Sequence, residues 1–352
     1  MNKKVAIAIS GGVDSSVAAW LLREAGYEVC GVTMRLGIPA EAGEETAPGG
    51  SPAGVDAKIV CEMLDIPLHT LDVAADLEGL VIHPFLSAYL QGRTPNPCVE
   101  CNRSLKFGTL LRRVRDLGCD LLATGHYARV DHASGGARLL KPRDLRKDQT
   151  YFLYSIDRKA LGHVLFPLAP YRKEEVRELA AKAGMPGSER PESQDVCFLP
   201  GGDLASLLRR YGREEYRAGD IVTRQGKVLG RHRGLPFYTV GQRGGLGISH
   251  RVPLYVLALD VPGNRLIVGI KEEVRATGLR ADSPNILVDA PPVRAAAKIR
   301  YAHRAAPCTV AWEKDGLTVR FDAPQEAVTP GQSVVIYDGD LVAGGGIIRE
   351  AL

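Results

Sequence analysis

Long hydrophobic runs are missing from the 352-residue sequence. No apolar stretch approaches the roughly 18–20 residues that a helix needs to cross a bilayer, so we expect no membrane partner. The apolar part of the N-terminal MNKKVAIAISGG is too short for a signal peptide, and no small-residue cleavage site follows it. These absences predict a cytoplasmic protein.

A strong excess of charge is also missing. The chain has 45 lysines and arginines against 41 acidic residues, a net charge of +4. This balance neither requires nor excludes a nucleic-acid partner, because a local basic face matters more than the sum. The sequence has no clear internal repeat and no low-complexity tail. Its length and its 45% hydrophobic content predict two or three globular domains.

The seven cysteines fall into two groups. In a reducing compartment we expect no disulfide framework. Four of them lie in apolar or strand-like contexts and are predicted to be small core residues: Cys30, Cys61, Cys119 and Cys308. The other three lie in the polar segments RTPNPCVECN and ESQDVCFL: Cys98, Cys101 and Cys197. Such a set is compatible with a metal site, a redox pair or a sulfur-handling centre.

Strand and helix patterns alternate over the first 200 residues. KVAIAI suits a buried parallel strand, DSSVAAWLLREAGY an amphipathic helix and EVCGVTMRL a second strand, which together make a βαβ unit. Residues 39–54 are rich in Gly, Pro, Glu and Ala and are predicted to form a mobile loop. Further elements follow, including a strand over CDLLATGHYARV. The alternation predicts an α/β domain with a doubly wound parallel sheet.

Short strand patterns with Gly and Pro turns replace this alternation near residue 200. Examples are GDIVTRQGKVLGRHRG and LYVLALDVPGNRLIVG. Regular turn signals between β-rich runs are typical of small barrels or sandwiches. We therefore expect an α/β domain over residues 1–200, a β-rich domain over 201–272 and a barrel-like β domain over 273–352.

The segment SGGVDSS lies between the first strand and its helix. Its glycine pair lets the backbone approach a ligand closely, and a helix N-terminus offers unpaired N–H groups to a phosphate. The serine hydroxyls are further donors, and Asp14 could hold Mg²⁺ or cap the helix. The segment is not the GxxxxGKS loop and lacks the lysine of that motif. By itself it is also compatible with an ordinary capped turn.

SGGVDSS resembles the SGGxDS pyrophosphate loop of the N-type ATP pyrophosphatases, which split ATP between its α and β phosphates and adenylate a carbonyl oxygen. Further segments along nearly the whole chain are similar to successive signatures of the bacterial tRNA-specific 2-thiouridylases: TPNPCVECN, LLATGHYAR, KDQTYFLY, SQDVCF, YTVGQRGGLGI and TPGQSVVIYDGDLVAGGGII. The resemblance implies an ATP pyrophosphatase domain followed by two small β-rich domains.

The resemblance also implies a reaction and its participants. ATP, with Mg²⁺, activates the 2-oxygen of the wobble uridine in the anticodon stem-loop of certain tRNAs, and sulfur then displaces AMP. The sulfur comes from a persulfide carrier protein or from sulfide. Adenylation comes first because oxygen is a poor leaving group at C2, whereas AMP is a good one.

The resemblance further implies individual site residues. Cys101 matches the nucleophile, and Cys197 matches the persulfide-carrying cysteine. The ATP-binding positions are Ile9, Ser10, Gly11, Gly12, Val13, Asp14, Ser15, Ser16, Met34 and Gly125. The tRNA-interacting positions are Asn96, Pro97, His126, Lys147, Asp148, Gln149, Arg300, Tyr301 and Gln332. For Met34 core packing is the alternative; for His126 the alternatives are proton transfer and an ordinary hydrogen-bonded histidine.

Cys98 departs from the commoner family pattern, which has Asp at this position. Three cysteines with an open fourth position resemble the 4Fe–4S site of related tRNA thiolases, and thiolates suit such clusters. A cysteine pair can instead accept sulfur on one residue and release it by forming a disulfide with the other. A structural zinc would need a fourth ligand, and no obvious one lies nearby in sequence. An iron–sulfur cluster, a persulfide–disulfide cycle, and zinc or plain packing are the alternatives at this point.

Two other functions fit parts of the sequence. Another adenylating ligase of the same superfamily would need SGGVDSS but not the three cysteines. A non-catalytic RNA-binding protein with a structural metal would need the basic stretches, such as LLKPRDLRK, but not the nucleotide loop. Three aromatic residues beside that stretch could stack on unpaired bases or belong to the core of a strand: Tyr151, Phe152 and Tyr154.

Overall fold

The computed structural model describes residues 3–38, 52–133, 136–186, 196–213 and 215–352. The helices are α1 (Val13–Glu24), α2 (Pro52–Leu64), α3 (Ala74–Leu77), α4 (His83–Leu90), α5 (Pro97–Glu100), α6 (Leu111–Asp116), α7 (Thr150–Leu153), α8 (Arg158–Leu161), α9 (Lys173–Lys182) and α10 (Leu204–Arg210). Glu78–Ile82 and Cys101–Leu110 are π-helical, and short 3₁₀ turns lie at Pro200–Gly202, Leu235–Phe237 and Lys271–Val274. Of the predicted loop 39–54, residues 52–54 begin α2, and the rest lies outside the described residues.

The strands, in chain order, are β1 (Lys4–Ala8), β2 (Glu28–Arg35), β3 (Leu68–Asp72), β4 (Leu121–Ala123), β5 (Arg129–Ala133), β6 (Gly136–Leu140), β7 (Val164–Leu165), β8 (Gly219–Thr223), β9 (Val228–His232), β10 (Tyr255–Asp260), β11 (Arg265–Gly269), β12 (Arg275–Ile286), β13 (Arg294–Lys298), β14 (Ala306–Trp312), β15 (Gly316–Glu326), β16 (Ser333–Asp338) and β17 (Leu341–Ala351). Their contacts divide the chain into two compact units. The first unit comprises Met1–Val81, Val99–Gln194 and Asp340–Val342; the second comprises Ile82–Cys98, Asp195–Gly339 and Ala343–Leu352. The division into three domains, with boundaries at residues 200/201 and 272/273, stays a prediction.

A parallel sheet forms the centre of the first unit. Its strand order is β3-β2-β1-β4-β7, and every neighbouring pair is parallel. β1 is buried because helices cover both faces, which explains why its sequence is an unbroken apolar run. The chain runs from β1 to β2 on one side and reaches β4 on the other, so the strand order reverses at β1. This arrangement confirms the predicted doubly wound α/β fold, and such a reversal is where α/β sheets bind ligands.

The strand predicted over CDLLATGHYARV is wrong in its length. β4 ends at Ala123, and β5 begins only at Arg129. Between them the backbone of Gly125 passes over the SGGVDSS turn, where a Cβ on Gly125 would lie 2.8 Å from the Ser15 nitrogen. The chain therefore leaves the sheet because it packs against the nucleotide loop.

The second unit contains the β-rich sequence. One of its sheets has the order β10-β11-β8-β9, around a core that includes Ile221, Val256 and Leu266. The strands β12-β15-β14-β13-β16-β17 follow one another around a closed barrel, because β17 also pairs with β12. The prediction of β-rich, barrel-like structure after the α/β domain is confirmed. Among the described residues, no helix is long and apolar enough to cross a membrane.

The four cysteines predicted to be core residues are buried. Burial raises the pKa of Cys30 to about 12 and the pKa values of Cys61 and Cys308 to about 11. A buried thiol with a raised pKa is a poor nucleophile. Solvent reaches Cys98, Cys101 and Cys197 of the two polar segments, which are exposed or half-buried, so these are the thiols accessible for chemistry.

Candidate active site

The SGGVDSS turn joins β1 to α1 at the carboxyl edge of the parallel sheet. Gly11 has a φ of +75°, a left-handed conformation that residues with a Cβ rarely adopt. Gly12 is the N-cap residue of α1 and has an extended backbone. A helix leaves its first N–H groups without intrahelical partners, and its dipole favours an anion there. The turn therefore has the chemistry of a phosphate site.

The serine hydroxyls of the turn are used mainly inside it. Ser15 Oγ donates to the Gly12 carbonyl at 2.9 Å, and Ser16 Oγ donates to the same oxygen at 3.1 Å. The Ser10 nitrogen donates to Ser15 Oγ at 3.2 Å. Ser15 and Ser16 are buried, whereas Ser10 is exposed. The expectation that all three hydroxyls face a phosphate is thus too broad, because Ser15 and Ser16 hold the turn in shape.

The remaining predicted ATP positions lie around this turn in different ways. Ile9 is a core residue whose backbone nitrogen donates to the Val32 carbonyl, and Val13 packs against the same core. Met34 lies near the carboxyl end of β2 and is half-buried, so core packing covers only part of its side chain. Gly125 packs on the turn itself.

Gly125→Ala is expected to weaken ATP binding because its Cβ would push against the backbone of Asp14 and Ser15. We expect the KM for ATP to rise about tenfold and stability to fall by about 1–3 kcal/mol, as for other over-packed sites. The measurement is pyrophosphate release as a function of ATP concentration, together with thermal unfolding. Gly79→Ala is the matched control, because no atom lies within 4 Å of its added Cβ. An unchanged KM for Gly125→Ala would contradict the packing argument.

Asp14 is held by Lys173. Lys173 Nζ donates to Asp14 Oδ1 at 2.7 Å and to Oδ2 at 2.8 Å, and the Tyr127 hydroxyl donates to Oδ1 at 2.9 Å. The Lys173 side chain is only 5% exposed. Of the two predicted roles for Asp14, helix capping is wrong, because Gly12 is the N-cap residue. The ion pair places an ammonium group at the mouth of a phosphate loop that has no lysine of its own.

The position of Lys173 opposes the local helix dipole. It is the first residue of α9, where acidic residues are favoured and cations are not. Its backbone nitrogen donates to Asp144 Oδ2 at 3.1 Å, and Glu175 Oε2 accepts from the Arg172 nitrogen at 2.6 Å. The helix start is therefore well defined, and the lysine is directed at the nucleotide loop rather than at solvent. A buried cation in an unfavourable helix position points to a role in function.

Cys101 begins the π-helical stretch that follows α5 and is half-buried. One contact holds each side of Cys101: Asn102 Nδ2 of the π-helical stretch donates to the Phe152 carbonyl at 3.0 Å, and the Val99 carbonyl of α5 accepts from Ser155 Oγ at 3.2 Å. π-helical turns are rare and often occur at functional sites. The predicted nucleophile thus stands on a rigid element of the first unit, the unit that also holds the nucleotide loop.

Burial raises the pKa of the Cys101 thiol; Lys106 opposes this and Glu100 adds to it. A raised pKa means less thiolate at any given pH, so alkylation of Cys101 is expected to keep accelerating with pH where a free thiol, with a pKa of about 8.5, levels off. The measurement is the iodoacetamide reaction rate of the Cys101 peptide by mass spectrometry from pH 6 to 10, with a short cysteine peptide as reference. A plateau below pH 8 would show an activated thiolate instead.

His126 follows Gly125 and is held by three neighbours. Its Nδ1 lies 2.6 Å from Thr124 Oγ1, and its ring lies about 6 Å from the rings of Phe107 and Phe166. Burial, and then the charge of Lys106, lower the pKa of His126 well below its ordinary value. The imidazole is therefore neutral at pH 7, so it can exchange hydrogen bonds or protons but brings no positive charge to RNA.

Cys98 and Cys197 are exposed and belong to the second unit, whereas Cys101 belongs to the first. The Cys98 nitrogen donates to Asn96 Oδ1 at 3.2 Å. Cys197 precedes Phe198, whose buried ring packs edge-on against Phe85 with centroids 5.4 Å apart. Within the described residues, no group of three or more His, Cys, Asp or Glu side chains is arranged to hold a metal ion.

The predicted KDQ contact is partly internal. Asp148 is buried, and its Oδ1 accepts from the Thr150 nitrogen at 2.9 Å and from Thr150 Oγ1 at 2.6 Å. Gln149 Oε1 accepts from the Tyr127 nitrogen at 2.8 Å. These two side chains therefore shape the loop beside the nucleotide site. Of the three residues, Lys147 has the positive charge that suits a phosphate.

The aromatic residues after this loop lie in and around helix α7 rather than in a strand. Tyr151 and Tyr154 are buried, at 0% and 2% exposure. Base stacking on these two rings is therefore excluded in this conformation, and core packing is their role. Phe152 is half-buried, and its carbonyl accepts the bond from Asn102.

The predicted tRNA positions of the second unit differ in exposure. Arg300 Nη2 donates to the Val240 carbonyl at 2.8 Å, and Gln332 Nε2 donates to the Thr94 carbonyl at 2.8 Å. Tyr301 is 41% exposed, and Lys298 Nζ lies 5.2 Å from its ring centroid. Pro97 is buried, and Asn96 is half-buried. Arg300 and Gln332 thus connect loops, whereas Tyr301 presents a ring and a nearby cation at the surface.

Sequence reasoning missed Lys173 and Tyr127 as partners of the nucleotide loop. Lys173 is 159 residues from Asp14, and no local pattern connects them. One signal was present: a lysine directly before two glutamates at a helix start is unusual. For Tyr127 the only signal was its place in the family-like segment LLATGHYAR.

Three family models match consecutive parts of the chain. Residues 3–201 match a tRNA methyl transferase HUP domain, residues 205–270 a tRNA methyl transferase PRC-barrel domain, and residues 276–348 an aminomethyltransferase beta-barrel domain. The tRNA-specific 2-thiouridylase MnmA 1 of Syntrophus aciditrophicus (strain SB) is 52% identical over 352 residues, which cover 100% of this chain and 94% of that relative. The chain belongs to the tRNA-specific 2-thiouridylase family.

Other thiouridylases of the family agree over the same extent. The enzyme of Moorella thermoacetica (strain ATCC 39073 / JCM 9320) is 46% identical over 357 residues, covering 98% of this chain and 99% of that relative. A solved 4-thiouridine synthetase–RNA complex with bound ATP has a TM-score of 0.37 and 18% identity, covering 60% of this chain and 50% of that one. That structural likeness is too weak to support an inference, whereas the full-length relatives confirm the resemblance seen in the motifs.

Proposed function

We propose that this chain is an ATP-dependent tRNA 2-thiouridylase. It adenylates the C2 oxygen of the wobble uridine in the anticodon stem-loop and replaces that oxygen with sulfur, releasing AMP and pyrophosphate. The observation that carries the proposal is the SGGVDSS turn, supplied with a cation by Lys173, in the same unit as the Cys101 helix. Full-length similarity to thiouridylases supports the choice of reaction.

The nucleotide half of the reaction depends on charge placed where the triphosphate lies. The N–H groups at the start of α1 bind phosphate oxygens, and Lys173 exchanges Asp14 for the α or β phosphate as ATP enters. This cation stabilises the charge that develops when the bond between the α and β phosphates breaks. Gly125 lets the β4 loop approach the turn closely enough to border the nucleotide.

Asp14 is the residue that would hold Mg²⁺ in a complex with ATP. Mg²⁺ typically binds one or two carboxylates together with substrate phosphates, and a single carboxylate beside a phosphate turn meets that requirement. The ion would neutralise phosphate charge. Release of Asp14 from Lys173 frees both groups at once, the carboxylate for the ion and the ammonium for the phosphate.

The sulfur half is a persulfide–disulfide cycle. The terminal sulfur of a Cys197 persulfide attacks C2, and the oxygen leaves with AMP. The Cys101 thiolate then attacks Cys197 Sγ; the S–S bond breaks, 2-thiouridine leaves with its electron pair, and a disulfide between Cys101 and Cys197 forms. A thiol reductant restores both cysteines, and a persulfide carrier protein then transfers its terminal sulfur to Cys197. Sulfide can instead attack the disulfide at Cys197, which leaves a persulfide on Cys197 and a thiolate on Cys101.

A 4Fe–4S cluster does not fit the described arrangement. A three-cysteine cluster needs three thiolates gathered around one centre. The described residues offer no such group, so no step is assigned to a cluster. Cys98 is instead an exposed thiol beside Asn96, which the resemblance gives as a tRNA-interacting position.

Nucleoside mass spectrometry tests the proposal. Wild-type protein is incubated with ATP, Mg²⁺, a persulfide donor and unmodified tRNA, and the tRNA is then digested and searched for 2-thiouridine. AMP and pyrophosphate are measured in the same samples. tRNA-dependent AMP release without 2-thiouridine, even with a donor in excess, would favour another adenylating enzyme, and absence of AMP release would favour a non-catalytic RNA-binding protein.

A further inference from the structure

The loop Gly241–Leu254 of the second unit surrounds a cavity of about 430 Å³. We propose that this cavity binds backbone phosphates of the tRNA, as a docking site separate from the nucleotide loop and from the positions named above. The proposal rests on the proposed function and adds a specific substrate contact to it. The cationic and polar side chains that line the cavity are Arg243, His250 and Arg251.

Apolar residues of this loop keep it in one place although most of it is exposed. Leu246 and Leu254 are buried in the core between β8, β10 and β11, and Ile248 packs against that core. At the start of the loop, two backbone bonds tie it to β10: the Gly241 nitrogen donates to the Val256 carbonyl at 2.8 Å, and the Val256 nitrogen donates to the Gln242 carbonyl at 2.9 Å. The basic side chains thus project from an ordered frame, which reduces the entropy lost when they bind.

The charge of this region is one-sided. Residues 221–259 contain no Asp or Glu but include six lysines and arginines. Two neighbouring arginines have carboxylate partners, Arg231 with Asp220 and Arg265 with Asp260. Within the part of the chain that the structure describes, Arg243 and Arg251 form no ion pair. Their charges are therefore available to an external anion.

The backbone of the loop is open as well. An added Cβ at Gly244 or Gly247 would meet no atom within 4 Å, so a ligand can approach the main chain there. Gln242 Nε2 donates to the Gly244 carbonyl at 2.8 Å, which holds the stretch beside Arg243. Guanidinium groups and accessible backbone on a polar cavity suit phosphate oxygens, and a chain of phosphates, as in RNA, matches a region with several dispersed cations.

The test is tRNA binding by Arg243→Gln/Arg251→Gln as a function of salt. Each phosphate contact contributes roughly 0.7–0.9 to the slope of log K against log salt, so we expect a slope lower by about 1.5 and affinity reduced about tenfold near 150 mM salt. The probe is an unmodified tRNA transcript, measured by fluorescence anisotropy. Both arginines are exposed, so thermal unfolding should stay unchanged.

Arg231→Gln/Arg265→Gln removes the same charge from paired arginines of the same unit and serves as the matched control. Equal affinities and slopes for the two double variants would overturn the site while leaving the proposed function intact. Absence of tRNA binding by wild type would instead refute the proposed function itself. Unchanged tRNA affinity in Arg243→Gln/Arg251→Gln, together with loss of the inorganic phosphate binding that wild type shows, would overturn the tRNA assignment in favour of a free-anion site.

Discussion

Cys101→Ala is expected to abolish formation of 2-thiouridine, by at least about a thousandfold, because it removes the thiol that resolves the sulfur adduct. Adenylation does not use this thiol. A single turnover should therefore still release pyrophosphate in the presence of ATP and tRNA. The measurement pairs nucleoside mass spectrometry with rapid-quench detection of pyrophosphate.

Cys98→Ala is the matched control for Cys101→Ala, because it removes an exposed cysteine three residues away. In a persulfide–disulfide cycle between Cys101 and Cys197 it should retain activity within about threefold, as for most surface substitutions. Loss of activity equal to that of Cys101→Ala, together with iron-dependent visible absorbance in the wild type, would contradict the cycle and restore the cluster. After turnover without reductant, peptide mapping should find a disulfide between Cys101 and Cys197.

Lys173→Met is expected to reduce adenylation about a hundredfold or more, the scale of losing one charged or hydrogen-bonding group that stabilises developing charge. Thiolation should fall equally, because it depends on the adenylate. The measurement is the kcat and KM of tRNA-dependent pyrophosphate release. Lys173→Arg keeps the charge but not the compact ammonium group, so only partial rescue is expected.

Two controls separate this effect from unfolding. Removing Lys173 leaves Asp14 without its ion-pair partner, and breaking such a pair destabilises a protein by about 3–5 kcal/mol when it is well buried. Lys173→Met/Asp14→Asn removes both charges and should recover stability but not adenylation. Lys182→Met changes an exposed lysine of the same helix and should leave both unchanged. Normal adenylation in a stable Lys173→Met protein would refute the role of the lysine.

Local patterns predicted most of the fold. The apolar run KVAIAI, the helix after SGGVDSS and the next strand correspond closely to β1, α1 and β2, because each depends on the periodicity of neighbouring residues. The same reasoning extended the strand of CDLLATGHYARV too far. The whole segment has strand-like propensity, but the close approach of Gly125 to Ser15 ends the strand. These two residues are 110 positions apart in the sequence, so no local pattern predicts their contact.

The site itself was predictable only in part. SGGVDSS and the polar cysteines carried a chemical signal in their own residue types and spacing. The environment of each side chain did not follow from them: Tyr151 and Tyr154 are core residues rather than base-stacking platforms, Asp148 bonds to Thr150, and Ser15 and Ser16 bond inside the turn. Polarity and aromaticity are properties of a residue, whereas burial is a property of the fold.

By itself, the sequence determined the alternation of strands and helices and the phosphate turn. It also divided the cysteines into those in apolar segments and those in polar segments. Each of these features depends on residues close together in the chain. Only the tertiary structure decided which cation serves the turn. Lys173 reaches Asp14 because the start of α9 packs beside α1 across the sheet edge, and no rule of local propensity relates two residues so far apart. The physical reason is that ion pairs act through distances in space, which the order of residues does not contain.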